Sequence, residues 1–98
     1  MAGLEAKDQS KILAHLEEEG AWVIKTQSTN KNGTPDILGC LNGRFIAVEV
    51  KTTSGTLSRL QELKLQQIER AGGIAFVAYG YQDFVSKWRL LSKELPDR

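Results

Sequence analysis

The chain has 98 residues and a formal net charge of +1, a length that suits one domain with its own core. Its single cysteine excludes an internal disulfide, and no apolar run approaches the roughly 20 residues of a membrane helix. We therefore expect one domain over residues 1–98, with no membrane partner, in a reducing cytoplasmic setting. The near-zero net charge does not decide the partner, because clustered carboxylates can cancel basic side chains that contact phosphates.

The first part of the chain predicts a helix followed by a strand. The helix covers residues 4–19, where Gly20 is the predicted end. Its apolar residues at helical spacing are Leu4, Ile12, Leu13 and Leu16. We interpret the glutamates at 17–19 as a solvated helix end and His15 as a surface or half-buried residue. Residues 21–26 predict the first strand, and the polar residues 27–33 predict a loop.

A β-hairpin is predicted around Asn42 and Gly43, because a two-residue type I′ turn needs a positive φ at both positions and this pair tolerates it. If these two residues form the loop, Leu41 faces Arg44. The same register places Asp36 directly across from Glu49.

The predicted hairpin therefore brings two acidic side chains together at the end away from the turn. Residues two apart on a strand share a face, so Lys51 projects beside Glu49. Two facing carboxylates repel each other and destabilise a sheet unless a positive charge lies between them. Pro35 restricts the backbone just before Asp36, which suits a ligand with a fixed position. The pattern indicates a cation site.

The second half of the chain predicts a helix, a strand and a helix. The first of these helices begins at residue 57 or 58 and ends at 71, and Ser58 and Gln61 fit a capping box at its start. Residues 74–79 predict a strand parallel to the third strand, because a helix connects the two. The last helix, residues 82–91, has Phe84 and Trp88 at helical spacing. We interpret this stripe as core, and the alternative is a face that contacts a second copy.

Four features of the sequence resemble one nuclease family. Residues 33–36 read Gly-Thr-Pro-Asp and residues 49–51 read Glu-Val-Lys, which is similar to the PD-(D/E)XK nuclease motif. Residues 57–61, Leu-Ser-Arg-Leu-Gln, and Glu5 on the first helix resemble the stand-alone virus-type replication-repair nuclease (VRR-NUC) domain. The resemblance covers roughly residues 4–84.

The resemblance implies an α/β fold, a restriction-endonuclease-like αβββαβα core with a mixed central sheet flanked by helices. It implies Mg²⁺ or Mn²⁺ as the cofactor, held by Asp36, Glu49 and the carbonyl of Val50, with Glu5 near a second metal. Lys51 and Gln61 complete the implied catalytic residues: Lys51 orients or deprotonates water, and Gln61 positions water or phosphate. For Gln61, the capping box remains an equally physical explanation.

The predicted contacts to nucleic acid are Lys31, Asn32, Lys51 and Arg59. The loop at Lys31 and Asn32 is also consistent with ordinary solvated residues. No Walker A motif, zinc-spaced Cys and His set or nucleotide-cofactor motif is present in the sequence.

We therefore hypothesise a metal-dependent DNA endonuclease. The family resemblance implies a branched substrate, such as a four-way (Holliday) junction. We expect a homodimer to cut it, because a two-fold symmetric dimer matches the two related strands of such a junction. The setting is the host cytoplasm if the source is viral. The alternatives are a nicking or flap endonuclease and, from another class, a catalytically silent nucleic-acid-binding subunit with the same fold. The presence of Asp36, Glu49 and Lys51 argues against the silent subunit.

Overall fold

A computed structural model of the chain describes residues 3–26 and 32–97, and it has the element order αβββαβα. The elements are α1 (Leu4–Glu18), β1 (Trp22–Lys25), β2 (Ile37–Leu41), β3 (Arg44–Lys51), α2 (Arg59–Arg70), β4 (Ile74–Tyr79) and α3 (Tyr81–Leu91). A short 3-10 helix, Ser92–Glu94, follows α3. The predicted α/β class and element order are confirmed. No helix in the described ranges is long and apolar enough to cross a membrane.

The four strands form one mixed sheet in the order β1-β2-β3-β4. The hairpin turn has φ values of 53° at Asn42 and 81° at Gly43, as a type I′ turn requires. Leu41 pairs with Arg44, and the antiparallel register continues to Ile37 and Val48. β4 pairs with β3 in parallel. The predicted register and the predicted parallel pairing are both confirmed.

The two faces of the sheet have different coverings. Ile46, Val48 and Val50 of β3 are fully buried in an apolar cluster with residues of α1 and α3. The alternating residues of β3 face α2, where Phe45 and Ile68 line one cavity and Glu49 contacts Gln61. The main core therefore lies under α1 and α3, and the charged end of β3 lies under the first turn of α2.

The apolar stripe of α1 differs from the prediction at one end. Ile12 and Leu16 are fully buried, whereas Leu4 is mostly exposed. At 3.6 residues per turn, Leu4 lies roughly 115° around the helix axis from the centre of the buried stripe. The same geometry places Glu5 within about 20° of Ile12 and Leu16, on the side that faces the sheet.

The aromatic stripe of α3 belongs to the core. Phe84 and Trp88 are buried between α3, α1 and the sheet. The alternative that they contact a second copy is therefore wrong, because no surface of either ring is available. Glu19 is also more than a solvated helix end, since it accepts a hydrogen bond from the Trp88 indole at 3.0 Å and pairs with half-buried His15 at 2.9 Å.

The outer edge of β4 is closed by side chains of α3. The Tyr79 N–H donates to the Asp83 carboxylate at 2.8 Å, and the Lys87 ammonium donates to the Val77 carbonyl at 2.7 Å. Lys87 also pairs with Asp83 at 2.8 Å. The Tyr79 N–H and the Val77 carbonyl are therefore not available to pair with another strand. At the opposite edge, no strand among the described residues pairs with the outer side of β1.

The burial of the α3 stripe predicts a large loss of stability on truncation. Phe84→Ala should lower the free energy of unfolding by about 3–5 kcal/mol, because it removes a buried ring and leaves a cavity. Urea denaturation measures this change. Leu90→Ala on the same helix is the control, since Leu90 is 66% exposed and the change should stay within about 0.5 kcal/mol. Equal unfolding midpoints for the two variants would contradict the assignment of Phe84 to the core.

Candidate active site

Glu49 is a buried carboxylate near the carboxyl end of β3, and it is only 3% exposed. Its Oε2 accepts a hydrogen bond from the Gln61 amide at 3.1 Å and lies 3.7 Å from the Lys51 ammonium. With the carboxyl ionised, its Oε1 is buried and has no donor among residues 3–26 and 32–97. One oxygen is thus held by protein groups, and the other remains free to bind a proton or a cation.

Asp36 lies in a bend immediately before β2. Its Oδ2 accepts a hydrogen bond from the Val50 N–H at 2.8 Å, so the carboxylate extends across the open end of the hairpin. The N–H and C=O of one strand residue point to the same side, and the Val50 carbonyl therefore also points toward Asp36. Glu49, Asp36 and the Val50 carbonyl converge on one place.

Thr26 holds the segment that carries Asp36. Its N–H donates to the Asp36 carbonyl at 2.7 Å, and its hydroxyl lies 2.8 Å from the Pro35 carbonyl and 3.1 Å from that of Asp36. The sequence did not reveal this role, because the loop after Thr26 conceals the register of β1 against β2. A hydroxyl at the last position of a strand is a weak signal for it.

The pKa of Glu49 is raised from its usual 4.5 to about 8. Burial of the carboxyl is the largest cause, followed by the negative charge of Asp36 and a hydrogen bond shared with the Asp36 carboxyl. The positive charge of Lys51 lowers the pKa, and Glu5 raises it. The site thus holds a proton at neutral pH, and a bound cation would compete with that proton for the same oxygens.

The arrangement fits a hard divalent cation. Mg²⁺ prefers oxygen ligands, keeps several waters and is typically held by one or two carboxylates. Asp36 and Glu49 supply two carboxylates, and the unpartnered Oε1 of Glu49 is an oxygen without another function. No three His, Cys, Asp or Glu side chains of the described residues form a group that could hold a metal ion by themselves. Water and a phosphate oxygen would have to complete the coordination.

Glu5 lies near this site, but it does not complete such a group. The negative charge of Glu5 raises the pKa of Glu49. One turn further along α1, Asp8 accepts a hydrogen bond from the Tyr81 N–H at 3.2 Å. That contact places the first half of α1 at the carboxyl end of β4. A role for Glu5 at a second metal remains a prediction.

Gln61 takes part in the helix cap and also contacts Glu49, so the two interpretations that the sequence left open are compatible, and its role in positioning water or phosphate remains a prediction. Its Oε1 accepts the Ser58 N–H at 2.9 Å, and its own N–H donates to the Ser58 hydroxyl at 3.1 Å, which completes the capping box of α2. In the same conformation its Nε2 donates to Glu49. The side chain does not need to swing between the helix cap and the site.

The predicted nucleic-acid contacts are distributed around the site. Lys51 is mostly buried beside Glu49, whereas Arg59 is exposed and pairs with Glu62 at 3.2 Å. Asn32 lies in an exposed turn, and the neighbouring Gly33 approaches Leu60 of α2 closely. Lys31 lies outside the described residues. The structure thus brings Asp36, Glu49, Lys51 and Gln61 together, with Arg59 and Asn32 on the surrounding surface.

The raised pKa of Glu49 predicts a pH-dependent stability in the absence of metal. Between about pH 4.5 and pH 8 the folded protein keeps a proton that the unfolded chain has released. The free energy of unfolding should therefore fall as the pH rises through this window, by at most about 1.4 kcal/mol per pH unit for one proton. Urea denaturation in EDTA at several pH values measures it. Glu49→Gln should flatten the profile, and Glu17→Gln, at an exposed glutamate of α1, should not.

Comparisons with known proteins agree with this geometry. The family model of the VRR-NUC domain matches residues 2–82. A solved structure described as a VRR_NUC domain is 25% identical, and the match covers 91% of this chain and 97% of that chain with a TM-score of 0.77. No curated protein matches the chain. The chain belongs to the VRR-NUC domain family, and this domain implies a nuclease of the PD-(D/E)XK type.

Proposed function

We propose that this domain is a Mg²⁺- or Mn²⁺-dependent endonuclease that hydrolyses phosphodiester bonds of branched DNA, such as a four-way junction. A nuclease domain implies a DNA partner. The observation that carries the metal dependence is the buried pair of Asp36 and Glu49, in which Oε1 of Glu49 lacks a donor within the described part of the chain. Lys51 beside this pair supplies the positive group that phosphate chemistry requires.

Asp36, Glu49 and the Val50 carbonyl would hold the metal. A metal bound there would polarise a phosphoryl oxygen, and it would lower the pKa of a bound water molecule so that this water can lose a proton near neutral pH. Asp36 is fixed by the Val50 N–H, and Glu49 is fixed through Oε2 by Gln61, so neither ligand has to be ordered at the moment of reaction.

Lys51 acts on the substrate rather than on the metal. An ammonium group has three donors and no acceptor, so it cannot be a metal ligand. Its side chain is only 18% exposed, so its charge acts in a partly water-excluded place where it stabilises negative charge on the phosphate more strongly than in water. It also orients water for attack.

The test is cleavage of matched four-way, flap and linear DNAs with Mg²⁺ or Mn²⁺. We expect the four-way junction to be cut best. Asp36→Asn should reduce cleavage by about 10²-fold or more, because it removes a ligand charge. Without metal the same variant should be at least as stable as wild type, since the amide can accept from Val50 and donate to Glu49. Lys51→Ala should lose most cleavage and retain Mn²⁺ binding in calorimetry.

Three outcomes would contradict the proposal. Undiminished cleavage by Asp36→Asn would remove the metal pair from the reaction. Loss of Mn²⁺ affinity together with activity in Lys51→Ala would contradict the division between ligands and charge. Equal cleavage of all three DNAs would contradict the preference for branches.

The homodimer belongs to the same proposal, but its interface lies at β1 and not at the aromatic stripe of α3. Trp22 is 69% exposed and lies in one row with Cys40 and Phe45 across three strands. Ile24, two residues along β1, shares that face, and it is also exposed. α2 covers β3 and β4 on this side, so the apolar row lies beside it. Two copies joined through antiparallel β1 strands would form one continuous sheet with both rows on the same face.

With this interface, Trp22→Glu should give a folded monomer, because each of the two copies would place a carboxylate on the shared apolar face. Light scattering at micromolar concentration, with and without junction DNA, measures the mass. Leu90→Glu changes a similarly exposed residue of α3 and should leave the dimer intact. A monomeric wild-type protein, both free and bound to a junction, would contradict the dimer and its account of paired cuts on a symmetric junction.

A further inference from the structure

Gln61 is an amide whose two ends are not equivalent. Rotation by 180° would exchange Oε1 and Nε2, and the two orientations differ little in shape. In the reverse orientation the NH₂ group would face the Ser58 N–H, which is a donor, and the oxygen would face the Glu49 carboxyl. The Ser58 N–H therefore selects one orientation, because a donor cannot pair with another donor.

The selection comes from the backbone of Ser58 and not from its hydroxyl. The hydroxyl accepts the backbone N–H of Gln61, which stabilises the helix end but does not touch the side-chain amide. The Ser58 N–H contacts the amide itself at 2.9 Å. One residue thus performs two separable functions through two different groups.

We propose that Ser58 is a positioning residue whose N–H fixes the Gln61 amide, so that its NH₂ group occupies Oε2 of Glu49 and leaves Oε1 free for the cation. The consequence for cation binding rests on the proposed metal-dependent function, whereas the contact between Ser58 and Gln61 does not depend on it. In wild type, Glu49 is held by one oxygen only, and a freely rotating amide would present its own oxygen to the carboxylate for part of the time. When Glu49 is ionised, as it must be to bind a cation, that state repels the carboxylate and leaves it without a fixed orientation.

Two substitutions at Ser58 separate the functions. Ser58 has φ −74° and ψ 160°, which proline can adopt, so Ser58→Pro removes the N–H and the hydroxyl without a forced change of backbone. Ser58→Ala removes the hydroxyl alone. Both variants lose the hydroxyl that accepts the backbone N–H of Gln61. Ile74→Val, at the far end of β4 from the site, is the control for a modest loss of stability.

The first measurement is NMR of the Gln61 side-chain amide in the metal-free protein, which requires no activity. Ser58→Ala and Ile74→Val should keep the wild-type chemical shifts and slow hydrogen exchange, and Ser58→Pro should lose both. Calorimetry with Mn²⁺ should show an affinity about 10- to 100-fold lower in Ser58→Pro, the range for groups that orient metal ligands. The Ser58→Pro effect should vanish in a Gln61→Ala background, because the residue acts through that amide.

Unchanged Gln61 signals and Mn²⁺ affinity in Ser58→Pro would overturn the assignment, as would an undiminished effect in the Gln61→Ala background. If Ser58→Pro does not fold, the wild-type spectrum decides. A Gln61 amide that exchanges as fast as that of exposed Gln82 is not fixed, and the assignment fails. If wild type cuts no DNA but the amide behaves as described, the proposed function fails and the positioning role of Ser58 stands.

Discussion

The turn at Asn42 and Gly43 needs a positive φ at two successive residues, and that requirement fixes the register of β2 against β3. A slip of one residue would move every side chain of one strand to the opposite face. Glu49 would then point into the apolar core under α1 and α3, where no hydrogen-bonding partner of the present site could reach it. The burial of Ile46, Val48 and Val50 opposes the same slip, so the turn and the core select one register together.

The carboxyl atoms whose charged form is destabilised by burial are the same atoms that are proposed to bind the cation. A carboxyl that is buried beside another carboxyl destabilises its charged form, and the raised pKa of Glu49 expresses that cost. The fold retains the arrangement through contacts on both sides: Thr26 and the Val50 N–H hold Asp36, and Gln61 holds Glu49. A cation would relieve what the protein groups leave unsatisfied. The free site therefore retains one buried carboxylate oxygen without a donor in the described part of the chain.

Local signals predicted much of this molecule. The hairpin register, the parallel strand β4 and the capping box at Ser58 depend on residues close in sequence, and all three are confirmed. The membership of the VRR-NUC family also agrees with the resemblance read from the motifs. What the sequence did not reveal depends on tertiary packing. The role of Thr26 requires the register of β1, and the exposure of Leu4 requires the position of α1 on the sheet.

The two edges of the sheet also differ from each other, and the spacing of apolar residues in the sequence does not show this difference. A strand edge is closed or open according to side chains that reach it from elsewhere, and no local pattern in β4 announces that Asp83 and Lys87 will occupy its backbone groups. The same holds for Trp22, whose exposure depends on where α2 crosses the sheet. Prediction from sequence was therefore best along the hairpin and weakest at the margins of the sheet.

The closed edge of β4 has a consequence for how copies of this domain can add to one another. A sheet with two open edges can bind a further copy at each end, and such growth has no natural limit. Here Asp83 and Lys87 of α3 occupy two backbone groups on one edge, which opposes strand addition there, whereas no described strand pairs with the outer side of β1. In the proposed dimer, in which two β1 strands pair, each copy would present only its β4 edge. The ion pair of α3 would then oppose extension of the sheet beyond two copies.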